Sequence, residues 1–155
     1  MNHPCNAALS SWTAPGLQKR FTLRQANRAL VLVRRIVADV VADFGRVQEL
    51  QEILELEQQF GSPEYLREVH GQMVTVVSRL QCCLEELAAV GVVLRDFGRG
   101  VVDFPARVAG RDVCFCWQFG EQTVQYWHGP GGGLADRKPI SELIEALAPS
   151  PVENA

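Results

Sequence analysis

The chain has 155 residues, 47% of them hydrophobic, and a net charge of −3: one ordinary domain's worth, long enough to bury roughly two-thirds of its unfolded surface. That mild acidity excludes a global attraction to nucleic acid or to an anionic membrane, and no segment reaches the ~18 uninterrupted apolar residues of a membrane span. The cysteines (Cys5, Cys82, Cys83, Cys114 and Cys116) are odd in number and make no disulfide framework, which points to a soluble, cytoplasmic protein.

Residues 1–18 and 148–155 are rich in Pro, Ser and small side chains and read as disordered tails; the amino terminus lacks the basic and apolar regions of a signal peptide. Between them, 19–147 read as a single domain: a helical hairpin over 22–90, a β-meander over 92–128, and a Gly-rich connector with a short helix over 129–147.

Thr22 and Gln25 have the spacing of a capping box, which opens a helix. From Leu30 the stripe runs Leu30, Val33, Val37, Val40, Phe44, Val47, Gln51, Leu54, alternating three and four as in a coiled-coil seam, with one polar break at Gln51. The helix should extend from about 22 to 59, roughly 57 Å at 1.5 Å per residue. Gly61-Ser62-Pro63 then offers a left-handed glycine cap, a Ser N-cap and a first-turn proline.

A second seam follows through Leu66, Val69, Met73, Val76, Leu80, Cys83, Leu87 and Val90, and Gly91 ends it. The short connection forces an antiparallel hairpin. Cys82 and Cys83 read simply as helix residues, one beside the seam and one on it. Ala29 and Ile36 on the first helix, Val77 and Leu84 on the second, widen the stripe at the hairpin's base, so a third element should pack there. The tip has only the narrow seam and should project into solvent or into a partner.

Charge divides the same way. Residues 19–35 carry Lys19, Arg20, Arg24, Arg28, Arg34 and Arg35 with no acid, whereas 46–68 carry Glu49, Glu52, Glu55, Glu57, Glu64 and Glu68 against Arg46 and Arg67. Arg24, Arg28 and Arg35 fall on one outward stripe that could meet an anionic partner or the acidic tip of another copy.

After Gly91 the apolar period changes to two. Val92–Asp96, Val101–Val108, Arg111–Phe119 and Gln122–His128 read as four antiparallel strands. Two-residue loops at 109–110 and 120–121 would fix the register: Phe104 opposite Phe115, Val102 opposite Trp117, Trp117 opposite Val124, Phe115 opposite Tyr126. That face is apolar, and the base of the hairpin should cover it. The other face pairs Arg107 with Asp112 and Asp103 with Cys116.

In this register His128 lies on the core side with Tyr126 and Val124, while Asp103, Cys114, Cys116 and Trp127 point away from it. An Asp103–His128 dyad is then not expected unless a bulge intervenes, and no catalytic set is expected. Cys114 and Cys116 share a face, but no second Cys or His pair at finger-like spacing completes a zinc site, so neither metal nor cofactor is expected. Gly129-Pro130-Gly131-Gly132-Gly133 lacks the Lys-Ser/Thr of a phosphate loop and reads as a connector to a helix over 141–147 capped by Ser141.

The fold class is therefore α+β: a long helical hairpin packed at its base on a four-stranded antiparallel meander, with a short C-terminal helix. Four stretches, "FTLRQANRALVLVRRIV", "GVVDFPARVAGRDVCFCW", "YWH" and "LADRKPI", together resemble the uncharacterised bacterial family called domain of unknown function 2203. The resemblance spans about 21–140, and Phe21, Ala26, Asn27, Asp103, Phe104, Pro105, Trp117, Glu121, Trp127, His128 and Arg137 match the family pattern. The chain departs from it in having Gly129 where an acid follows the His, and Gly133-Leu134-Ala135-Asp136-Arg137 where a Gly-Phe-Ala-Gly-Arg run is expected. The resemblance implies architecture and no activity.

The leading functional reading is a non-catalytic interaction module that pairs with a protein partner, or with itself, along the hairpin. The alternative is a small enzyme or ligand binder with a polar pocket where Glu121, Trp127, His128 and Arg137 converge with Asp103. Nucleic-acid binding through Arg24, Arg28 and Arg35 is disfavoured by the net charge.

Overall fold

The computed structural model describes residues 19–147. The two tails expected at 1–18 and 148–155 lie outside the described residues. Helix α1 spans Leu23–Glu57, and Thr22 caps it as expected: its hydroxyl accepts from Gln25 N at 3.1 Å while Gln25 Oε1 accepts from Thr22 N at 3.0 Å. Helix α2 spans Pro63–Val90, capped by the Ser62 hydroxyl and closed by Gly91 in the left-handed conformation. Gly61 does not take that conformation. It donates to Glu57 O at 2.7 Å, and a Cβ there would lie 2.8 Å from the same oxygen.

The hairpin divides into two apolar clusters. Its base, with Leu30, Val33, Ile36, Val37 and Val40 of α1 and Leu87 of α2, belongs to the main core with the sheet. Ala29 packs against this core as the wider stripe implied, whereas Val77 and Leu84 are only half-buried and lie outside it. The tip has its own small cluster of Leu50, Val69 and Val76, flanked by Val47, Ile53, Leu54 and Met73. Asp43 and Arg79 stand between the two, with Arg79 Nη2 donating to Asp43 Oδ1 at 2.8 Å.

The seam does not break at Gln51. Gln51 is exposed and Leu50 is buried, because a helix of 3.6 residues per turn drifts about 20° per heptad against a strict seven-residue repeat.

The sheet has five antiparallel strands in chain order, one more than expected: β1 (Val93–Asp96), β2 (Val101–Val108), β3 (Arg111–Gln118), β4 (Tyr126–His128) and β5 (Lys138–Pro139). Helix α3, Ile140–Leu147, follows directly and starts one residue before the expected cap Ser141. The β2–β3 register is the expected one, from Val108 opposite Arg111 to Val102 opposite Trp117. The turn is Ala109-Gly110, both at positive φ (51° and 78°), the signature of a tight hairpin.

The α1 face of the sheet carries Val102, Phe104, Ala106, Val113, Phe115 and Trp117, all buried, with Phe21 edge-on to Phe104 at 5.3 Å. Gly100, at φ 68°, lets α1 press against the sheet: a Cβ there would meet Val37 at 2.8 Å and Phe119 at 2.7 Å.

The β3–β4 register differs from the expected one. Cys116 opposes Tyr126, Phe115 opposes Trp127 and Cys114 opposes His128, a shift of one residue that exchanges the two faces of β4. No two-residue loop joins these strands. Glu121 N donates to Gln118 O at 3.0 Å, Glu121 Oε1 accepts from Gln118 N at 2.6 Å, and Glu121 O accepts from Trp117 Nε1 at 3.0 Å. Further along, Asn27 Oδ1 of α1 accepts from Val124 N at 2.8 Å. These bonds hold 119–125 as a wide loop, and Val124 reaches the core from it.

Strand β1 ends its pairing at Val93 opposite Asp103, so Pro105 of β2 faces no strand on that side, and Phe21 N donates to its carbonyl at 2.7 Å. At the far margin lies the two-residue β5, ending in Pro139.

Candidate functional site

The shifted β4 brings together what the expected register kept apart. On the face of the sheet away from α1 and α2, Asp103 (β2), Cys114 (β3) and His128 (β4) stand on three neighbouring strands. His128 Nε2 lies 2.8 Å from Asp103 Oδ1, and both side chains are 1% exposed. This overturns the expectation that the two sit back to back.

His128 Nδ1 lies 2.7 Å from Gly129 O. A carbonyl can only accept, so Nδ1 donates to Gly129 O and Nε2 is the nitrogen turned to the Asp103 carboxyl. The second oxygen of Asp103 accepts from Arg95 Nε at 2.8 Å, so the carboxylate is satisfied on both sides. Arg95 is available because β1 bulges between Leu94 and Asp96.

Cys114 and Cys116 flank Asp103. Burial pushes both thiols up, with the Asp103 carboxylate adding to it, and Cys116 is pushed up to about 12. Neither is a nucleophile at neutral pH.

The other expected pocket residues separate into two groups. Arg137 Nη1 donates to Glu121 Oε1 at 2.7 Å and its guanidinium lies 4.2 Å over the Tyr126 ring. Burial alone would lower Arg137, but its bond to Glu121 and that carboxylate's charge raise it overall. Trp127 and His128 instead line a hollow of about 430 Å³ with Gly129, Ala135, Asp136, Arg137 and Lys138. Glu121 stands behind Arg137 and is not part of this lining.

Trp127 faces the α1 side with Phe115, Lys138 Nζ lies 5.8 Å over its ring, and its Nε1 is buried with no acceptor among the described residues. The stripe Arg24, Arg28 and Arg35 is exposed and forms no ion pair among the described residues.

Arg95, Cys114, Gly129 and Lys138 were absent from the expected site. Cys114 and Arg95 could have been found only from the right register, since each belongs to the site through its neighbour across the sheet.

A family model described as "Uncharacterized conserved protein (DUF2203)" matches residues 19–140. No curated protein and no solved structure matches the chain. No helix among the described residues is long and apolar enough to cross a membrane.

Proposed function

The chain belongs to the DUF2203 family, and for it we propose a ligand-binding function: the hollow at the β4–β5 edge takes a small organic anion. Supporting this reading are two cationic residues, Arg137 and Lys138, which line the hollow together with Trp127, and the Trp127 Nε1, a buried donor with no acceptor among the described residues. Buried donors are nearly always satisfied, so an orphan marks a place where a ligand or water atom belongs. Arg137 spends one nitrogen on Glu121 and keeps further N–H groups for a carboxylate or phosphate. The Trp127 ring offers a flat wall, and the His128–Asp103 unit stiffens the strand that carries it.

The test is a titration of isotopically labelled protein with succinate, inorganic phosphate and adenosine monophosphate, following the Trp127 indole N–H signal. Saturable movement with at least one probe, lost in Arg137→Ala, is expected. No movement with any of the three would overturn the reading.

A second reading, protein interaction through the hairpin, draws on the tip, where Leu56 and Phe60 are 75% and 85% exposed. With a basic base and an acidic tip, the partner it suits is a second copy aligned head to tail. Light scattering after gel filtration should then show a dimer that dissociates with salt and with Phe60→Ser. A monomer at low salt and high concentration would rule this out.

A further inference from the structure

His128 Nε2 and Asp103 Oδ1 converge at 2.8 Å on the face of the sheet away from the helices, with Cys114 beside them. We propose that Asp103, Cys114 and His128 form a binding site for a divalent transition metal, zinc by the nature of the donors.

The three donor atoms, one oxygen, one sulfur and one nitrogen, lie within 4.8 Å of one another. They come from β2, β3 and β4, the most rigid kind of support, and two of them, Cys114 and His128, are direct cross-strand partners. An O, S, N set suits zinc, a borderline-soft ion that takes carboxylate, thiolate and imidazole alike. Bonds of about 2.0–2.3 Å place tetrahedral donors about 3.3–3.7 Å apart. His128 and Asp103 would part by about half an ångström from their hydrogen-bonded distance of 2.8 Å, and Cys114 would turn toward them.

The surroundings are those of a metal site. A ligating histidine almost always gives its other nitrogen to a carbonyl or carboxylate, and His128 Nδ1 donates to Gly129 O. Arg95 holds Asp103 Oδ2 and leaves Oδ1 turned to the site. It also lies beside Cys114, where its charge favours the thiolate that a metal requires. Carboxylate and thiolate neutralise a divalent ion, so the buried site gains no net charge beyond that of Arg95. Three protein ligands leave the fourth position open, the arrangement of zinc sites that hold a water or a substrate. This inference is independent of the anion reading above.

The full-length protein, stripped with a chelator and dialysed, is titrated with Zn²⁺ in competition with a chromophoric chelator, and with Co²⁺ followed by absorption. One ion per chain is expected, with a sulfur-to-cobalt charge-transfer band. The band should vanish in Cys114→Ala, persist in Cys116→Ala and in Arg137→Ala, and weaken with a loss of affinity of roughly 100-fold or more in Asp103→Asn. Cys114 is half-buried, so its alanine variant folds, which far-ultraviolet circular dichroism checks. Zinc uptake no greater than that of folded Cys114→Ala, or a band that survives this substitution, would overturn the proposal.

Discussion

Asp103 and His128 are sealed from water, so neither can exchange its partner for solvent. Removing one member of a buried pair leaves the other without compensation, and such changes cost about 3–5 kcal/mol. Asp103→Ala should show a loss of that size in urea denaturation at neutral pH. His128→Ala should cost less than this, because Arg95 still holds the carboxylate. Cys116 makes a second prediction, with a sign fixed by burial. Its thiol is pushed up from an ordinary value near 9 to about 12, so above pH 9 the unfolded chain loses the proton first. The folded state then binds more protons, and stability falls as pH rises through this window, by at most about 1.4 kcal/mol per pH unit. Urea midpoints between pH 8 and 10.5 should fall less steeply in Cys116→Ala than in the parent chain.

Among the elements, the β2–β3 hairpin was legible because Ala109-Gly110 punctuates two strands of unambiguous alternation. Ala109 is nonetheless a poor residue at φ 51°, where an L side chain costs about 1–2 kcal/mol. Ala109→Asn supplies the favoured Asn-Gly pair and should raise stability by roughly 1 kcal/mol, seen as a higher midpoint in thermal unfolding. Gly100→Ala should do the opposite, since α1 and Phe119 occupy the space its methyl would need. Strand β4 was illegible for a physical reason. Tyr126 and Trp127 are adjacent aromatics, so either parity sends one ring into the core, and alternation cannot choose between them. What chooses is the wide loop, and it is built by tertiary bonds from Glu121 and from Asn27 on a distant helix. Pattern reading sees the polar residues but not where they bind. The helical hairpin was legible in its Thr22, Ser62 and Gly91 caps and on the α1 side of its base, but not in Gly61, Val77 or Leu84; at the tip, where Leu50 replaces Gln51, a strict heptad misjudged the drift of the apolar stripe.

At the scale of the whole molecule, the separation of the base and tip clusters by Asp43 and Arg79 implies two levels of stability. The base shares the sheet's core, whereas the tip has only a few buried side chains, and regions with few buried contacts open first. In native-state hydrogen exchange the amides of 47–76 should exchange well before those of 30–40; equal protection would show that the hairpin opens as one unit. The margins of the sheet carry a different consequence. Pro105 stands where β1 has ended and Pro139 closes the two-residue β5, and a residue without an amide hydrogen cannot template an incoming strand. Neither of these two stretches can recruit backbone from a neighbour, so both resist the addition of a strand. Replacing Pro105 with valine would remove that safeguard, and thioflavin fluorescence during prolonged incubation would report the change.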